Sequence, residues 1–378
     1  MKILFIVYHG FSEVSGISKK IHYQVKGLRE NGHEVHLCYY DYSSNGHRCR
    51  YIDGEIIKDY GTGIFAGLCQ RIDYDCIFDY CRDNKIEFVY ARCFQNANPF
   101  LILFFKRIKK LGIKSVTEIP TYPYDQEFVG FPFLTRVGLK IDQLFRHQLS
   151  SQMNAIVTFS DAETIFGQRT IRISNGVDMD SIPLHHYNVP EDHSVHLIGV
   201  AEVHYWHGFD RLIAGLGEYY RNTTNPRPVY FHVVGGVWKS EMYDSIHAPG
   251  FSELMDKYNI RDKVFFHGQL FGDALDDVFN KSCFAIGSLA RHRSRITNIK
   301  TLKNREYATR GIPFIYSEQD SDFDHQPYVI KAKPDESPIN IPKILDFIDH
   351  HHFLPDEIRK SVENLSWKIQ MQKVIDET

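Results

Sequence analysis

Short apolar runs alternate with longer stretches of helical period along the first part of the chain. The run Lys2–Tyr8 is almost continuously apolar, which is typical of a strand buried on both faces of a parallel sheet. From Ser18 to Asn31 apolar residues recur every three or four positions, which predicts an amphipathic helix that ends at Gly32. Glu34–Tyr40 returns to a strand pattern. This order predicts a right-handed crossover between two parallel strands.

The same alternation continues through the first half and begins again in the second. Pro99–Leu111 is predicted to be a helix between two strands, and Phe209–Tyr220 a helix after the strand His196–Ala201. The polar segment Tyr187–Asp192 separates the two series. They predict an α/β protein with two doubly wound parallel-sheet (Rossmann-like) domains facing across a cleft. The other predicted elements are the strands Phe88–Tyr90, Lys114–Glu118, Asn154–Phe159, Val229–Val234, Lys263–Phe266, Cys283–Ile286 and Pro313–Tyr316, a strand and turn at Ile171–Asp178, and the helix Phe251–Tyr258.

Length and composition limit the architecture and the partners. The 378 residues suit two domains, which we place at 1–185 and 186–355, with a C-terminal helix at 356–378 that could return to the first domain. The net charge of −3 gives no electrostatic case for nucleic acid. The seven cysteines form no CxxC pair, which favours free thiols over disulfides or zinc. The apolar N-terminus is interpreted as a buried strand rather than a signal peptide, and no transmembrane helix is expected.

The stretch Lys263–Ser317 has the most specific chemistry. It predicts strand, helix, strand, helix and strand, and Glu306 is the carboxylate on the helix that precedes the buried strand Pro313–Tyr316. In a doubly wound sheet, a carboxylate at this place can bind a sugar or ribose hydroxyl beside backbone amides that bind phosphate. The pattern therefore indicates a protein that uses a sugar nucleotide.

The order of several motifs resembles the family-4 retaining glycosyltransferases (glycosyl transferases group 1), which have a GT-B fold. The motifs are the opening strand and loop up to Gly16, ENGHEV at Glu30–Val35, SNGVD at Ser174–Asp178, WHGFDRLI at Trp206–Ile213, VVGG at Val233–Gly236, VFFHG at Val264–Gly268 and REYATRGIPFI at Arg305–Ile315. The resemblance covers most of the chain. It implies an acceptor-side first domain, a second domain that binds the nucleotide sugar, and a retaining transferase that needs neither a metal nor a cofactor.

The chain departs from the family pattern at three positions. The first glutamate of the family's acidic pair is replaced by Asn298, while Glu306 matches the second. The family's phosphate-binding arginine and lysine correspond to Glu202 and His207, and His207 could replace the lysine only as a hydrogen-bond donor. Positive charge must therefore come from other residues, with Lys303 as the first choice. The candidates are Lys300, Lys303, Arg291, Arg293 and Arg305.

These comparisons give a set of expected site residues. The expected catalytic residues are His207, Lys303 and Glu306. Glu118 and Tyr122, which follow a strand end in the first domain, are the expected acceptor-side contacts. The Asp-x-Asp runs at 178–180 and 320–322 are interpreted as solvated loop acids, so no metal site is expected. The expected donor-binding residues are Gly16, Gly208, Gly235, Gly268, Gln269, Leu270, Arg291, Asn298, Thr301 and Leu302.

Two stretches in the first domain combine apolar and basic residues, Pro99–Lys114 and Phe128–His147. Such helices can lie on an anionic membrane surface, or they can pack on the sheet while their cations extend into solvent. The sequence leaves both interpretations open. The first would suit a lipid-linked acceptor and a cytoplasmic protein that contacts the inner face of the plasma membrane.

The leading hypothesis is a retaining glycosyltransferase that transfers a sugar from a UDP- or GDP-linked donor to a glycan or lipid-linked acceptor in surface polysaccharide synthesis. A sugar-nucleotide epimerase of related fold is an alternative, but a convincing set of acid and base residues cannot be assigned. The replacements at Asn298 and Glu202 motivate a third hypothesis. This is a non-catalytic subunit of the same fold that binds a partner or a membrane.

Overall fold

The computed structural model describes residues 1–12, 16–92, 95–125, 133–236, 250–295 and 297–378, without the side chains of 133–135. Residues 128–132, at the start of the second basic stretch predicted from the sequence, lie outside the described residues. The chain divides into two compact units. One is Met1–Gly176 together with Leu365–Thr378, and the other is Val177–Asn364. Each unit has its own β-sheet.

The first unit is built on a nine-stranded sheet. Its strands are β1 (Lys2–Val7), β2 (Glu34–Tyr42), β3 (Arg48–Ile52), β4 (Glu55–Asp59), β5 (Phe88–Arg92), β6 (Lys114–Ile119), β7 (Ala155–Thr158), β8 (Thr164–Ile165) and β9 (Gln168–Arg172). They lie in the order β4-β3-β2-β1-β5-β6-β7-β9-β8. In this order the neighbours from β2 to β9 pair in parallel, whereas β3, β4 and β8 are antiparallel to their neighbours.

Helices cover both faces of this sheet because successive residues of its buried strands point to opposite sides. Phe5 of β1 packs with Val25 and Trp367 on one face, and Ile6 packs with Phe105 on the other. The helices of this unit are α1 (Gly16–Glu30), α2 (Gly63–Ile72), α3 (Asp75–Asp83), α4 (Pro99–Lys110), α5 (Phe133–Ser150) and, from the end of the chain, α12 (Trp367–Asp376).

Close packing of α12 on α1 depends on Gly27. A Cβ atom at Gly27 would lie 2.7 Å from the Trp367 backbone, whereas at Gly138 in α5 it would meet no described atom within 4 Å. Gly27→Ala is therefore expected to lower the free energy of unfolding by about 1–3 kcal/mol, because overpacking outweighs the better helix propensity of alanine. The control Gly138→Ala is expected to raise it by up to about 1 kcal/mol. Urea denaturation measures both, and an unchanged Gly27→Ala protein would contradict this packing.

The second unit has a parallel six-stranded sheet. Its strands are β10 (Val195–Val200), β11 (Val229–Val234), β12 (Val264–Phe266), β13 (Phe284–Ile286), β14 (Phe314–Tyr316) and β15 (Val329–Lys331). They lie in the order β12-β11-β10-β13-β14-β15, and every neighbouring pair is parallel. The α/β architecture with two doubly wound sheets, predicted from the alternating pattern, is therefore confirmed.

The helices of the second unit surround this sheet and share its core, where Leu212 and Leu216 pack against Phe231. None of the helices in the described parts of the chain is long and apolar enough to cross a membrane. The helices of this unit are α6 (Phe209–Asn222), α7 (Phe251–Tyr258), α8 (Asp273–Lys281), α9 (Leu302–Arg310), α10 (Ile341–His350) and α11 (Pro355–Lys360).

The division between the units differs from the expected boundaries. The first unit closes at Gly176 rather than at residue 185. The reason is that His185 is bound inside the second unit, where its backbone N–H donates to the Arg310 carbonyl and its Nε2 lies 2.6 Å from the Ser282 carbonyl oxygen. The tail expected to form one helix at 356–378 is two helices. Ser366 caps the second of them, α12, by accepting a hydrogen bond from the Ile369 N–H, and α12 belongs to the first unit.

Candidate functional site

In the sheet of the second unit, the order in which successive strands are added reverses between β10 and β13. From β10, the strands β11 and β12 are added on one side, whereas β13, β14 and β15 are added on the other. Loops at the carboxyl ends of neighbouring strands separate at such a switch point and leave room for a ligand. His207 follows β10, Arg291 follows β13 and Glu318 follows β14, so these three polar side chains belong to this edge.

Helix α9 is tied to the same edge by Tyr307. The Tyr307 hydroxyl donates to the Ile286 carbonyl at the end of β13 and accepts from the Val200 N–H at the end of β10, both at 3.0 Å. The Leu289 N–H donates to the His207 carbonyl at 2.8 Å, which joins the loop after β13 to the loop after β10. The Tyr307 contacts hold α9, which carries Lys303 in its first turn, beside the ends of β10 and β13.

His207 is a neutral hydrogen-bond donor in this arrangement. Its Nδ1 accepts from the His204 backbone N–H at 2.9 Å, so the ring hydrogen is on Nε2. Burial, together with the charges of Lys303 and Arg291, holds the pKa of His207 well below its usual value. His207 therefore supplies a donor but no positive charge at the position where the family has a lysine.

Three of the five cations proposed from the sequence are occupied by carboxylates. Arg293 binds Asp210 with both terminal nitrogens, at 2.9 and 2.7 Å. Arg305 is fully buried and binds Asp320 at 2.6 and 3.0 Å, and Lys300 lies 3.6 Å from Asp322. The prediction that Asp320 is a solvated loop acid is wrong, because Asp320 is fully buried against Arg305.

Lys303, the first choice among the cations, has an unusual environment. Its Nζ is buried and forms no hydrogen bond within the described residues. Burial and the charge of Arg291 lower the pKa of Lys303 to about 7, against the opposing effect of Glu318. The Arg291 guanidinium lies 5.6 Å from the centre of the Trp206 ring. A buried amine without a hydrogen-bond partner is costly, which is typical of a group kept for a ligand.

Glu318 was missed by the sequence analysis. Its side chain is buried, and its Oε1 accepts from Asn304 at 3.3 Å and from Thr301 at 3.5 Å. Its Oε2 is buried without a hydrogen-bond partner among the described residues. Burial raises the pKa of Glu318, while Arg291 and Lys303 oppose this shift. The available signal was an acid two residues beyond the end of a buried strand.

Glu306, the expected partner of a ribose hydroxyl, lies on α9 and is partly exposed. One carboxylate oxygen accepts from Arg310 at 3.2 Å, one helical turn away. Arg310 also binds Asp276 at 2.7 Å. Glu306 is therefore held on the helix surface by one cation, with the rest of its carboxylate available to a ligand.

At two of the expected donor-binding glycines, the backbone conformation and the close neighbours require a residue without a side chain. Gly208, the residue before α6, has a φ of +64°, and a Cβ atom there would lie 2.8 Å from the Ala290 Cβ. Gly235 has a φ of +125°, and its Cβ would lie 1.8 Å from the Ala201 carbonyl oxygen. Both bring the loops after β10, β11 and β13 close together. Their contribution to donor binding stays a prediction.

The other expected donor contacts lie at several places. Thr301 is buried beside Glu318, whereas Leu302 and Asn298 are exposed. Asn298 pairs with Gln319, which brings the segment before α9 beside the segment that follows Glu318. In the turn after β12, Gly268 and Gln269 are exposed and Leu270 is half-buried, while Gly16 is an exposed residue at the start of α1 in the first unit.

The expectation that Glu118 contacts an acceptor needs correction. Glu118 is fully buried at the end of β6. Its carboxylate lies 3.3 Å from Lys20 Nζ and accepts from Arg92 at 3.0 Å, from Tyr90 at 2.6 Å and from Gln24 at 2.7 Å. With both oxygens engaged and no exposed surface, this carboxylate organises the interior of the first unit.

Tyr122, the other expected acceptor-side residue, is half-buried. Its ring packs edge-on against Phe166, with ring centres 5.8 Å apart. Unlike Glu118, it keeps part of its surface in solvent. Acceptor contact through Tyr122 stays a prediction.

The edge of the second sheet combines several hydrogen-bond donors with one carboxylate. The donors are the Lys303 amine, the Arg291 guanidinium, the His207 Nε2–H and the first backbone amides of α9, and the carboxylate among them is Glu318. That combination suits a diphosphate, whose charge increases when it leaves a sugar. Within the described residues, no group of three or more histidine, cysteine or acidic side chains is placed to hold a metal ion.

The fold is similar to solved structures over the whole chain. Sucrose-phosphate synthase from Thermosynechococcus elongatus is 14% identical and aligns with 99% of this chain and 97% of its own, at a TM-score of 0.62. A glycosyltransferase from Rickettsia africae is 13% identical, with coverages of 99% and 97% and a TM-score of 0.59. The catalytic domain of starch synthase IV from Arabidopsis thaliana, bound to ADP and acarbose, is 11% identical, with coverages of 99% and 98% and a TM-score of 0.59.

Sequence comparison adds no closer relative. No protein-family model and no curated protein matches the chain. At identities of 14% or less, the similarity to solved structures concerns the fold. The GT-B fold expected from the motif order is confirmed: the chain has the architecture of the GT-B glycosyltransferases, with two Rossmann-like units.

Proposed function

We propose that this protein is a retaining glycosyltransferase of the family-4 type. It takes a sugar from a UDP- or GDP-linked donor and transfers it to a glycan or lipid-linked acceptor in surface polysaccharide synthesis. The proposed location is the cytoplasm, including the inner face of the plasma membrane. Two observations support this proposal: the GT-B fold, and the edge of the second sheet, which is rich in hydrogen-bond donors.

The buried Lys303 amine carries the proposal. It has no hydrogen-bond partner among the described residues and lies in the same cluster as Arg291 and His207. A diphosphate would supply an acceptor for the Lys303 amine, and its negative charge would favour the ammonium form of Lys303. The same contacts would stabilise the leaving nucleoside diphosphate without a metal ion.

In the proposed reaction the acceptor hydroxyl attacks on the face from which the diphosphate departs. The bond between the sugar carbon and the phosphate oxygen breaks as the new glycosidic bond forms, and the departing phosphate takes the hydroxyl proton. A carboxylate nucleophile is not needed, so Asn298 in place of a glutamate is compatible with turnover. Glu306 binds the ribose of the donor in this proposal.

Nucleotide binding tests the proposal before the acceptor is known. Thermal unfolding is measured with UDP, GDP and ADP, and a ligand at about 100 times its Kd should stabilise the fold by about 2.7 kcal/mol. Sugar conjugates of the binding nucleotide are then incubated with the protein. A transferase releases nucleoside diphosphate slowly and equally well with EDTA, whereas an epimerase alters the sugar and a non-catalytic subunit does neither. Absence of both binding and release overturns the proposal.

Replacing Glu306 tests its assigned role at the ribose. Loss of a hydrogen bond to a charged group costs about 1.5–3 kcal/mol, so Glu306→Ala is expected to weaken nucleotide affinity about 10- to 150-fold. Because Glu306 is partly exposed, the far-ultraviolet circular dichroism should not change. Glu218→Ala on α6 is the matched control, an exposed helical carboxylate that should keep full affinity. Equal affinities of the two variants in calorimetry would refute the role of Glu306.

A further inference from the structure

Two neighbouring helices of the first unit expose large apolar side chains. On α4, Phe100 and Leu103 are 48% and 55% exposed, and on α5, Val137, Ile141 and Leu144 are 40%, 42% and 73% exposed. The spacings of three and four residues place each set on one side of its helix. The opposite side of α4 is already used in the core of the unit, so the exposed residues are an additional apolar stripe.

The two stripes belong to one surface. Asp142, in the middle of α5, accepts from the Ala97 backbone N–H at 3.0 Å, immediately before the start of α4. The start of α4, with Phe100 and Leu103, therefore lies beside the part of α5 that carries Ile141 and Leu144. We call these exposed faces of α4 and α5 the two-helix surface.

The charges on this surface have a single sign. Helix α4 contains no acidic residue, and the one acid of α5, Asp142, is buried and bound to Ala97 and Tyr124. Arg107 and Arg146 pair with acids from neighbouring segments. The remaining cations are exposed and form no ion pair within the described residues. They are Lys106, Lys109, Lys110, Arg136 and Lys140.

We propose that the two-helix surface binds the face of an anionic lipid bilayer. Exposed apolar side chains interleaved with unpaired cations match both the interfacial region of a bilayer and its negative headgroups. A soluble polyanion would use the cations but would leave the apolar stripe in water. The chain as a whole has a net charge of −3, so the attraction is a property of this surface and not of the protein at large. The inference deepens the membrane location given with the proposed function, and its test uses no nucleotide, so its failure would leave the transfer reaction untouched.

Sedimentation with lipid vesicles tests it on the full chain without nucleotide. Binding is expected to vesicles of phosphatidylcholine with about 30% phosphatidylglycerol and not to phosphatidylcholine alone. It should weaken in about 0.5 M salt, where exposed charges are screened over a few ångströms. Leu103→Asp with Leu144→Asp, and separately Lys106→Glu with Lys110→Glu and Lys140→Glu, should each reduce binding at least about tenfold.

Matched substitutions in the second unit serve as controls. Leu354→Asp replaces another leucine that is 64% exposed, and Lys257→Glu with Lys343→Glu reverses exposed lysines, so these variants should bind as the wild type does. Circular dichroism establishes that all variants are folded. Failure of the wild type to bind anionic vesicles, equal binding to neutral vesicles, or full binding by either surface variant overturns the inference. So does equally tight binding to duplex DNA that survives the leucine substitutions, because that result identifies a simple polyanion surface.

Discussion

Lys303→Met is expected to weaken nucleoside diphosphate binding about 10- to 150-fold and at the same time to stabilise the fold. The loss of affinity follows from removing a charged donor to phosphate, which contributes about 1.5–3 kcal/mol. The gain in stability follows because methionine removes a buried amine that has no hydrogen-bond partner within the described residues. Opposite changes in affinity and stability are the mark of a group kept for a ligand.

The pH dependence of stability and of nucleotide affinity gives a second test of the role of Lys303. Its folded pKa of about 7 is below the unfolded value of 10.5, so between these values the unfolded chain holds more protons than the folded one. The free energy of unfolding should therefore rise with pH from about 7 upward, and Lys303→Met should lack this contribution. Nucleotide affinity should fall as the pH increases above about 7, because the Lys303 amine of the unliganded protein loses its charge.

The control for Lys303 is Lys343→Met, an exposed lysine on α10 that should change neither quantity. Calorimetry with the nucleotide that binds, and urea denaturation at pH 6 and pH 8, provide the measurements. A Lys303→Met protein that is less stable than the wild type at pH 6 would assign Lys303 a structural role instead.

Glu118→Ala should produce the largest loss of stability, about 3–5 kcal/mol. Removing this carboxylate leaves Lys20 and Arg92 buried without their common anion, and both side chains are less than one tenth exposed. Tyr90 and Gln24 lose an acceptor in the same step. Glu55 is exposed in the same unit, so Glu55→Ala is the control, and its free energy of unfolding should stay within about 0.5 kcal/mol of the wild-type value.

Acid titration separates the charge of Glu118 from its packing. Burial alone would raise the pKa of Glu118, but Lys20, Arg92 and the hydrogen bonds from Tyr90 and Gln24 lower it to about 2. The folded pKa is thus below the unfolded one, so this stabilisation is complete above about pH 5 and is lost as the pH falls towards 2. Glu118→Gln should remove that part of the acid dependence in urea denaturation. A Glu118→Gln protein with the wild-type acid profile would contradict the assigned charge.

Elements with a clear period could be predicted closely from the sequence. The helix proposed at Ser18–Asn31 is observed at Gly16–Glu30, and the strand Val229–Val234 is found with the same bounds. The antiparallel hairpin of β3 and β4 was missed because its strands are short and mixed in polarity. Its turn, Asp53–Gly54, has φ values of 50° and 91°, and this dipeptide is a strong hairpin signal that could have identified it.

The site shows where sequence reasoning has a physical limit. Motif order directed attention to Lys303, but the sequence does not show which cations are already neutralised. Arg293 and Asp210 are 83 positions apart, and only folding brings them together. Glu118 was misassigned for the same reason, since its position at a strand end is visible in the sequence whereas its burial by Lys20 and Arg92 is not.

The position of α12 affects how the protein is made. The apolar face of α1 that includes Val25 is covered by Trp367 and Met371, which leave the ribosome after the whole second unit. The first unit can therefore not complete its core until the residues of α12 have been synthesised, although domains commonly fold in the order of synthesis. A nascent chain paused before Leu365 should therefore expose this face of α1 to chaperones and proteases.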